Sequence, residues 1–551
     1  MEKDMRVSRF LVAVGAALAL TSVASASAPN KDKLRADLPD VLAHAQQGDL
    51  VPITIVMKAQ AEPFDIDQLE TMNKADRRDF VIETLKQVAS ASQAGLIAQL
   101  EAAQQAGHAS HINPLWLANV VAVQVTPQVA LAISARDDVK YLSYDHPVGE
   151  EVFPVLPVEQ NGQLMQRGIE CGVNLMNAPV AWLNGFTGQG IVVGMIDTGL
   201  CITHPDIVNQ VWDNPGEIAN NGIDDDNNGF VDDVHGWSWD GNGSNNNIND
   251  NNSHGSHTSG TVAGDGTQGT QTGMAPDANI QVLKFWNNLS GESSVWNGMQ
   301  YGVANGADVL SASLGWLHQW NPDRVTWRNL SENTFASGVV VVFAAGNEGS
   351  QFGIDSVRTP GDVPDMITVG ATDCNMNAAS FSSRGPVTWQ DIPPFSDWPF
   401  PPGKLKPTIS APGVNTTSDN LCSGYKSLSG TSMATPHVAG TVALMLSANP
   451  NLDHYQVKQI LKDTAIDRGQ SGPDNTYGAG FVDAWDAVQA ALALLDCPAD
   501  FNNDGVVDTQ DVTAFLNAWT FGSAAGDFDE NGVIDSRDVL AFLNAWTAGC
   551  P

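Results

Sequence analysis

Basic residues are scarce in this chain of 551: 26 Lys and Arg stand against 62 Asp and Glu, a formal net charge of −36. So few cations cannot neutralise a phosphate backbone, which excludes nucleic acid as a partner. Long apolar runs are missing as well. None is long enough to span a bilayer, so no transmembrane anchor is expected. The one N-terminal run, Phe10 to Leu20, is short, follows Lys3, Arg6 and Arg9, and precedes the small-residue site Ala24-Ser25-Ala26. That order reads as a secretory signal over residues 1–26 and implies a secreted, extracellular protein. Cysteine is sparse, at six residues. In an oxidising compartment Cys171, Cys201, Cys374, Cys422, Cys497 and Cys550 could form three disulfides. Six cysteines allow 15 pairings and the sequence fixes none, although Cys497 and Cys550 bracket the C-terminal region and are the favoured pair.

What is present is enough apolar residue, 42%, for several packed domains. Residues 27–150 carry apolar alternation at Val51–Met57 and Val120–Val125 with helical patterning between, a small α+β unit. Residues 151–184 read as a connector. From 185 to 492, short apolar runs (Ile191–Ile196, Ile280–Lys284, Val309–Ser313, Val339–Ala345, Met366–Val369) alternate with helical patterns at Val295–Ala304, Thr431–Ala448 and His454–Thr464. Strands alternating with helices imply an α/β domain on a largely parallel sheet. Residues 497–551 repeat themselves: Asp-Val-Thr-Ala-Phe-Leu-Asn-Ala-Trp-Thr begins at 511 and returns, with one change, at 538.

Three turns in the α/β region bear chemistry. IVVGMIDTG (191–199) is a buried strand that delivers Asp197 to the carboxyl edge of the sheet, where ligands bind in open α/β folds. SHGSHTSGTVAG (253–264) sets His254 at the start of a helical stretch. SGTSMATPHVAG (429–440) sets Ser432 where a glycine turn opens a long helix with unpaired backbone N–H groups. Singly, each has a structural explanation: a turn aspartate, a core histidine, an N-cap serine. Together, in the order Asp, His, Ser, they resemble the subtilisin-like serine proteases, as does VVVVFAAGNEG (339–349).

That resemblance implies a doubly wound, subtilisin-like α/β fold over 185–492 and an endopeptidase acting on protein or peptide substrates. It implies Ser432 as nucleophile, His254 as general base, Asp197 as its orienting acid and Asn347 as oxyanion donor. Ser313, Leu314 and Gly315 resemble the family's substrate-binding strand, and residues 27–150 its inhibitory prodomain, with self-cleavage expected between about 147 and 175. His257, Thr431 and His437 fall at family motif positions, and His204-Pro205-Asp206 follows Asp197 as in the family.

Carboxylates at alternate positions closed by glycine are loops for a hard cation, and Ca²⁺ is the expected cofactor. Asp500, Asn502, Asp504, the Val506 carbonyl, Asp508 and Asp511 form one such loop. Asp527, Asp529, Asn531, the Val533 carbonyl, Asp535 and Asp538 form the second. Their spacing, and Asp at the twelfth position, resemble dockerin repeats, a small all-α module that implies a cohesin or cell-surface partner. A third loop, GIDDDNNGFVDD, offers Asp224, Asp226, Asn228, Asp232 and Asp233, with Gly229 for the turn. The alternative function is a non-catalytic secreted scaffold that works through the repeat module.

Overall fold

The computed structural model describes residues 29–35, 37–46, 48–147, 150–153, 168–240, 244–286, 291–495, 497–502, 507–529 and 531–548. The signal segment, the whole of 154–167, Asp504, Val506 and Cys550 lie outside them. The chain divides into two compact units.

One unit takes in residues up to 60, 89–114 and 119–145. Strands β1 (Val51–Met57), β2 (Ala109–Leu115), β3 (Val120–Val125) and β4 (Val139–Tyr144) form a sheet in the order β2-β3-β1-β4. Strand β1 runs antiparallel to both neighbours, with Ile53 opposite Val123 on one side and Tyr144 on the other. Ile53, Ile55, Val121 and Val123 bury one core together with Leu96, Leu100 and Ile133 from helices. The result is the small α+β arrangement that the alternation implies.

The second unit takes in residues 61–88, 115–118 and everything from 146 onward. Its strands are β5 (Gly168–Ile169), β6 (Val192–Asp197), β7 (Gly236–Ser238), β8 (Thr270–Gln271), β9 (Asn279–Lys284), β10 (Val309–Ala312), β11 (Val340–Ala344), β12 (Ile367–Thr372), β13 (Ile409–Pro412), β14 (Thr416–Asp419) and β15 (Tyr425–Leu428). Seven of them form a sheet in the order β13-β12-β11-β10-β6-β9-β7, parallel throughout. A parallel sheet is covered on both faces, which is why β11 reads as an unbroken Val-Val-Val-Phe-Ala and every residue of it is buried. Helix Thr431–Ala448 is almost wholly buried as well, against Val342, Ile367 and Ile409 of the sheet core. A helix buried all round, its Thr, Ser and His residues included, has no solvent face to pattern.

Two disulfides join Cys171 to Cys374 and Cys201 to Cys422. Cys497 is also disulfide-bonded. At the C-terminal end, helices Thr509–Phe521 and Ser536–Ala548 carry the repeated sequence. Phe515 and Phe542 stack at 4.2 Å. The Trp519 indole donates to the Asp535 carbonyl at 2.8 Å and the Trp546 indole to the Asp508 carbonyl at 2.9 Å.

Candidate active site

Strand β6 ends on Asp197 at the carboxyl edge of the sheet. Its Oδ1 lies 2.7 Å from His254 Nδ1 and also accepts the Thr198 N–H, while Oδ2 accepts the Thr258 hydroxyl at 3.0 Å. Asp197 and His254 are both buried. A carboxylate only accepts, so Nδ1 carries the proton and Nε2 keeps its lone pair. That Nε2 is buried with no hydrogen-bond partner.

Helix His254–Ala263 can press this close because its second residue is glycine: a Cβ on Gly255 would sit 2.1 Å from the Gly199 carbonyl oxygen. Asp250 ties the same corner together, taking the Thr198 hydroxyl and both the N–H and hydroxyl of Ser256. One turn on, His257 donates through Nε2 to the Thr416 and Lys426 carbonyls. Burial, helped by His254, holds its ring down to about 3, so it is neutral at ordinary pH.

Ser432 is the second residue of helix Thr431–Ala448. Its hydroxyl donates to the Ser313 carbonyl at 3.0 Å, and the Ser313 hydroxyl donates back to the Ser432 carbonyl at 2.8 Å. Asn347, three residues beyond β11, accepts the Thr431 N–H (3.0 Å) and hydroxyl (3.1 Å) on Oδ1. Both donors reach the oxygen, which turns Nδ2 the other way. There it is buried without an acceptor. A buried amide donor left unmatched is costly unless some oxygen arrives to take it. The fold thus brings together Asp197 with His254, and separately Ser432 with Ser313 and, through Thr431, with Asn347.

A peptide segment already lies across this place. Gly315 N–H donates to the Val152 carbonyl at 3.0 Å, and the Phe153 ring covers His254 at 4.7 Å. The segment, whose residues Glu150–Val152 form a single 3-10 turn, therefore reaches from Gly315 to the His254 ring, and Leu314 is buried. Two further residues stand here that sequence reasoning missed. Arg358 and Glu348 form a bidentate pair, with Nη2 to Oε1 at 2.6 Å and Nε to Oε2 at 3.0 Å. No motif announces Arg358, because its contacts lie across the fold.

Three carboxylate clusters could hold a metal among the described residues. In the acidic loop it is Glu217, Asp226 and Asp233 that converge. Asp224 instead accepts the N–H groups of Asn228 and Gly229, and Asp232 those of Asn221 and Gly222. Asn228 bridges Asp226 and Asp233 through its amide. Asp233 is fully buried and bonded by the Tyr301 hydroxyl, and burial raises its carboxyl pKa. An all-oxygen set on a desolvated carboxylate fits a hard cation. The acidic run already named Asp226 and Asp233; no sequence signal pointed to Glu217.

In the C-terminal repeat Asp527, Asp529 and Asp538 cluster, and Asp538 accepts the N–H groups of Asp529 (3.1 Å) and Asp535 (2.7 Å). Asp511 does the same for Asn502 and Asp508 in the first repeat. The Asn531 and Gly532 N–H groups turn inward to Asp527. The third cluster joins His204, Asp206 and Asp419, with the Tyr425 hydroxyl on Asp206. Burial pushes the Asp419 carboxyl up to about 6.

Residues 188–480 match the subtilase family. Subtilisin DY of Bacillus licheniformis is 34% identical over 322 residues, covering 58% of this chain and 98% of that protein. An alkaline protease of Alkalihalobacillus alcalophilus is 31% identical, over 66% of this chain and 78% of its own length. Bacillopeptidase F of Bacillus subtilis (strain 168) is 29% identical over 75% of this chain, but the match spans only 29% of that longer protein. No helix among the described residues is long and apolar enough to cross a membrane.

Proposed function

The chain belongs to the subtilase family and is a serine-type endopeptidase; on that premise we propose that Ser432, His254 and Asp197 are its triad and Asn347 its oxyanion donor. The observation that carries this reading is the pair of unmatched buried groups, His254 Nε2 on the Asp197 carboxylate and Asn347 Nδ2 next to the start of the Ser432 helix. One is a base lacking a proton to take, the other a donor lacking an oxygen to hold. A peptide carbonyl attacked by Ser432 supplies both.

The steps follow from the atoms. Substrate pairs with Ser313–Gly315 as an added strand. The Ser432 hydroxyl leaves the Ser313 carbonyl and gives its proton to His254 Nε2 as Oγ bonds the scissile carbon. Asp197 stabilises the imidazolium through the 2.7 Å contact. Asn347 Nδ2 and the Ser432 N–H take up the oxyanion, a kind of interaction worth about 10²–10³ in turnover for one side-chain donor. The C–N bond breaks as His254 protonates the leaving amine. Water, deprotonated by the same ring, then hydrolyses the acyl-enzyme and restores Ser432.

We further propose that the enzyme is secreted, that residues upstream of the cleft are removed by self-cleavage, and that it is stabilised by Ca²⁺ at the Glu217–Asp226–Asp233 cluster and the two C-terminal loops. The segment Glu151–Phe153 lying along the substrate strand supports the processing, and the all-oxygen clusters support the cation. The repeat module would serve attachment, to a cohesin-like or cell-surface partner.

The reading is tested by labelling the mature protein with a fluorophosphonate at neutral pH in calcium. Wild type should label and Ser432→Ala should not. An unlabelled wild type would leave the scaffold reading in its place.

A further inference from the structure

The floor of the cleft is closed by a side chain that no motif marks. Arg358 N–H donates to the Ala345 carbonyl at 2.9 Å, and the next residue, Thr359, exchanges hydrogen bonds with Trp316 at 2.9 and 2.7 Å. Residue 358 therefore sits between the chain leaving β10, which binds the substrate backbone, and the chain leaving β11, which carries Asn347.

From there its side chain fills the space between the two. A Cβ built on Gly315 would lie 2.8 Å from Arg358 Cβ, and one on Gly346 would lie 2.9 Å from Arg358 Cγ and 2.6 Å from Glu348 Oε2. Both walls are glycine, and the Arg358 stem with the Glu348 carboxylate stands directly against them. Arg358 is 6% and Glu348 8% exposed. The guanidinium has no freedom to swing aside. Nε and Nη2 are clamped by Glu348, Nη1 donates to the Gly315 carbonyl at 2.9 Å as well as to the Glu151 and Val152 carbonyls of the overlying segment, and the Trp320 ring lies 5.5 Å away. Glu348 is fixed in turn by the Ser383 hydroxyl and the Asn347 N–H.

The bound segment sets the register. Val152 pairs with Gly315, and Phe153 lies on His254. A substrate strand that keeps the Val152–Gly315 hydrogen bond and runs antiparallel to Ser313–Gly315 would set the residue two places further on opposite Ser313, beside Ser432. It is the residue preceding the scissile bond, and its side chain points into the gap that Arg358 and Glu348 occupy.

We propose that the Arg358–Glu348 pair is the specificity-determining plug of this cleft, restricting the residue before the scissile bond to glycine, alanine or serine. Arg358 does not read substrate charge, because its charge is already matched by Glu348 and an acidic side chain would meet that carboxylate. The inference rests on the proposed triad but concerns selection and not the chemistry. A pocket rejects a group too large for it far more strongly than it separates groups that fit, where one methylene is worth about 10–200-fold.

The test uses the secreted, processed enzyme and a peptide series varying only the residue before the scissile bond. Fluorophosphonate labelling of Ser432 reports the nucleophile, and ratios of kcat/KM report the plug. Wild type should cleave after Ala at least tenfold better than after Phe or Leu. Arg358→Gly should raise the Phe/Ala ratio by at least tenfold. Arg358→Gly with Glu348→Gln, which leaves no uncompensated buried charge, should do the same even if the single variant folds poorly. A labelled wild type that accepts Phe as readily as Ala overturns the proposal. So does a preference for Asp or Glu, or an unchanged ratio in a labelled double variant. Loss of labelling in wild type would instead remove the triad reading.

Discussion

The catalytic cleft and the C-terminal repeat are both built from carboxylates and turns, yet they are assembled on different scales. In the cleft, partners meet across the fold: 57 residues separate Asp197 from His254, 84 separate Asn347 from Thr431, and 119 separate Ser313 from Ser432. In the repeat, Asp538 takes the N–H groups of residues 9 and 3 places before it. The cleft exists only when a seven-stranded sheet is complete. Each repeat loop needs only its own turn and the start of one helix. The first arrangement couples function to global stability, and the second leaves it local.

The largest expected effect follows from the cleft acting as a unit. Ser432→Ala should lower kcat by about 10⁶-fold with little change in KM, since residues of a triad are lost together. Peptide hydrolysis by the purified variant measures it, and retention of even a hundredth of wild-type activity would break the assignment.

Coupling to global stability gives the next effect, through His257. Its ring takes up a proton only near pH 3 when folded, against 6.5 in the unfolded chain. Between those values the unfolded state binds more protons, so stability must fall as pH falls through that window. The upper bound is about 5 kcal/mol, at about 1.36 kcal/mol per unit. His454, buried and likewise held near 3, adds to the same trend. Thermal melts from pH 7 to 3.5 should therefore show a slope that His257→Gln reduces but does not abolish. An unchanged slope would mean that His257 is not neutral in the fold.

Asn347→Ala tests whether the unmatched amide serves the reaction or merely the turn. Turnover should fall about 10²–10³-fold, some 3–4 kcal/mol, while KM and the melting temperature hold. A variant that loses stability in proportion to its rate would make Asn347 a turn residue.

The same contrast explains what the sequence disclosed. Strands β6, β9, β10, β11 and β12 were legible because a sheet covered on both faces leaves uninterrupted apolar runs. β13 (Ile-Ser-Ala-Pro) and the three-residue β7 were not, being too short and too mixed to stand out from loop. Asp197, His254 and Ser432 became visible only as an ordered set of motifs, because nothing local requires three turns to converge. In the second repeat loop, spacing named Asp527, Asp529 and Asp538, and these carboxylates cluster. Arg358 and Glu348 were hidden because their meaning lies in facing Gly315 and Gly346. The acidic loop stands between the two cases. Its spacing pointed to Asp224, Asp226, Asn228, Asp232 and Asp233; Asp226 and Asp233 converge with Glu217, while Asp224 and Asp232 accept backbone N–H groups of their own turns, as Asp527 does in the repeat. Glu217 reaches in from outside the pattern, and Tyr301 fixes Asp233 from a distant helix.

That intermediate loop yields a graded prediction. If Ca²⁺ binds at Glu217, Asp226 and Asp233, then saturating calcium at about 100 times Kd stabilises the fold by about 2.7 kcal/mol, and chelation removes it. Glu217→Gln should shrink the calcium-dependent rise in melting temperature, whereas Asp224→Asn should weaken the turn in calcium and in chelator alike. Equal responses from the two variants would show that spacing, and not the folded cluster, selects the ligands.

The smallest effect belongs to the repeat. Asp538 has its pKa held below the usual carboxylate value, first by the Asp535 N–H and then by those of Asp529 and Phe528. Protonation as pH falls, or replacement by alanine, releases those donors and opens the loop at the start of helix Ser536–Ala548. Because the partners are all local, Asp538→Ala should leave kcat/KM on a small peptide within twofold of wild type. The loss should appear instead as faster amide exchange across 527–548 in calcium. Phe515 stacks on Phe542, and each tryptophan bonds the other repeat, so exchange should rise in helix Thr509–Phe521 as well. Protection unchanged in the first helix would mean the repeats fold one at a time. A fall in peptidase activity would mean that the two regions, so differently built, are not independent after all.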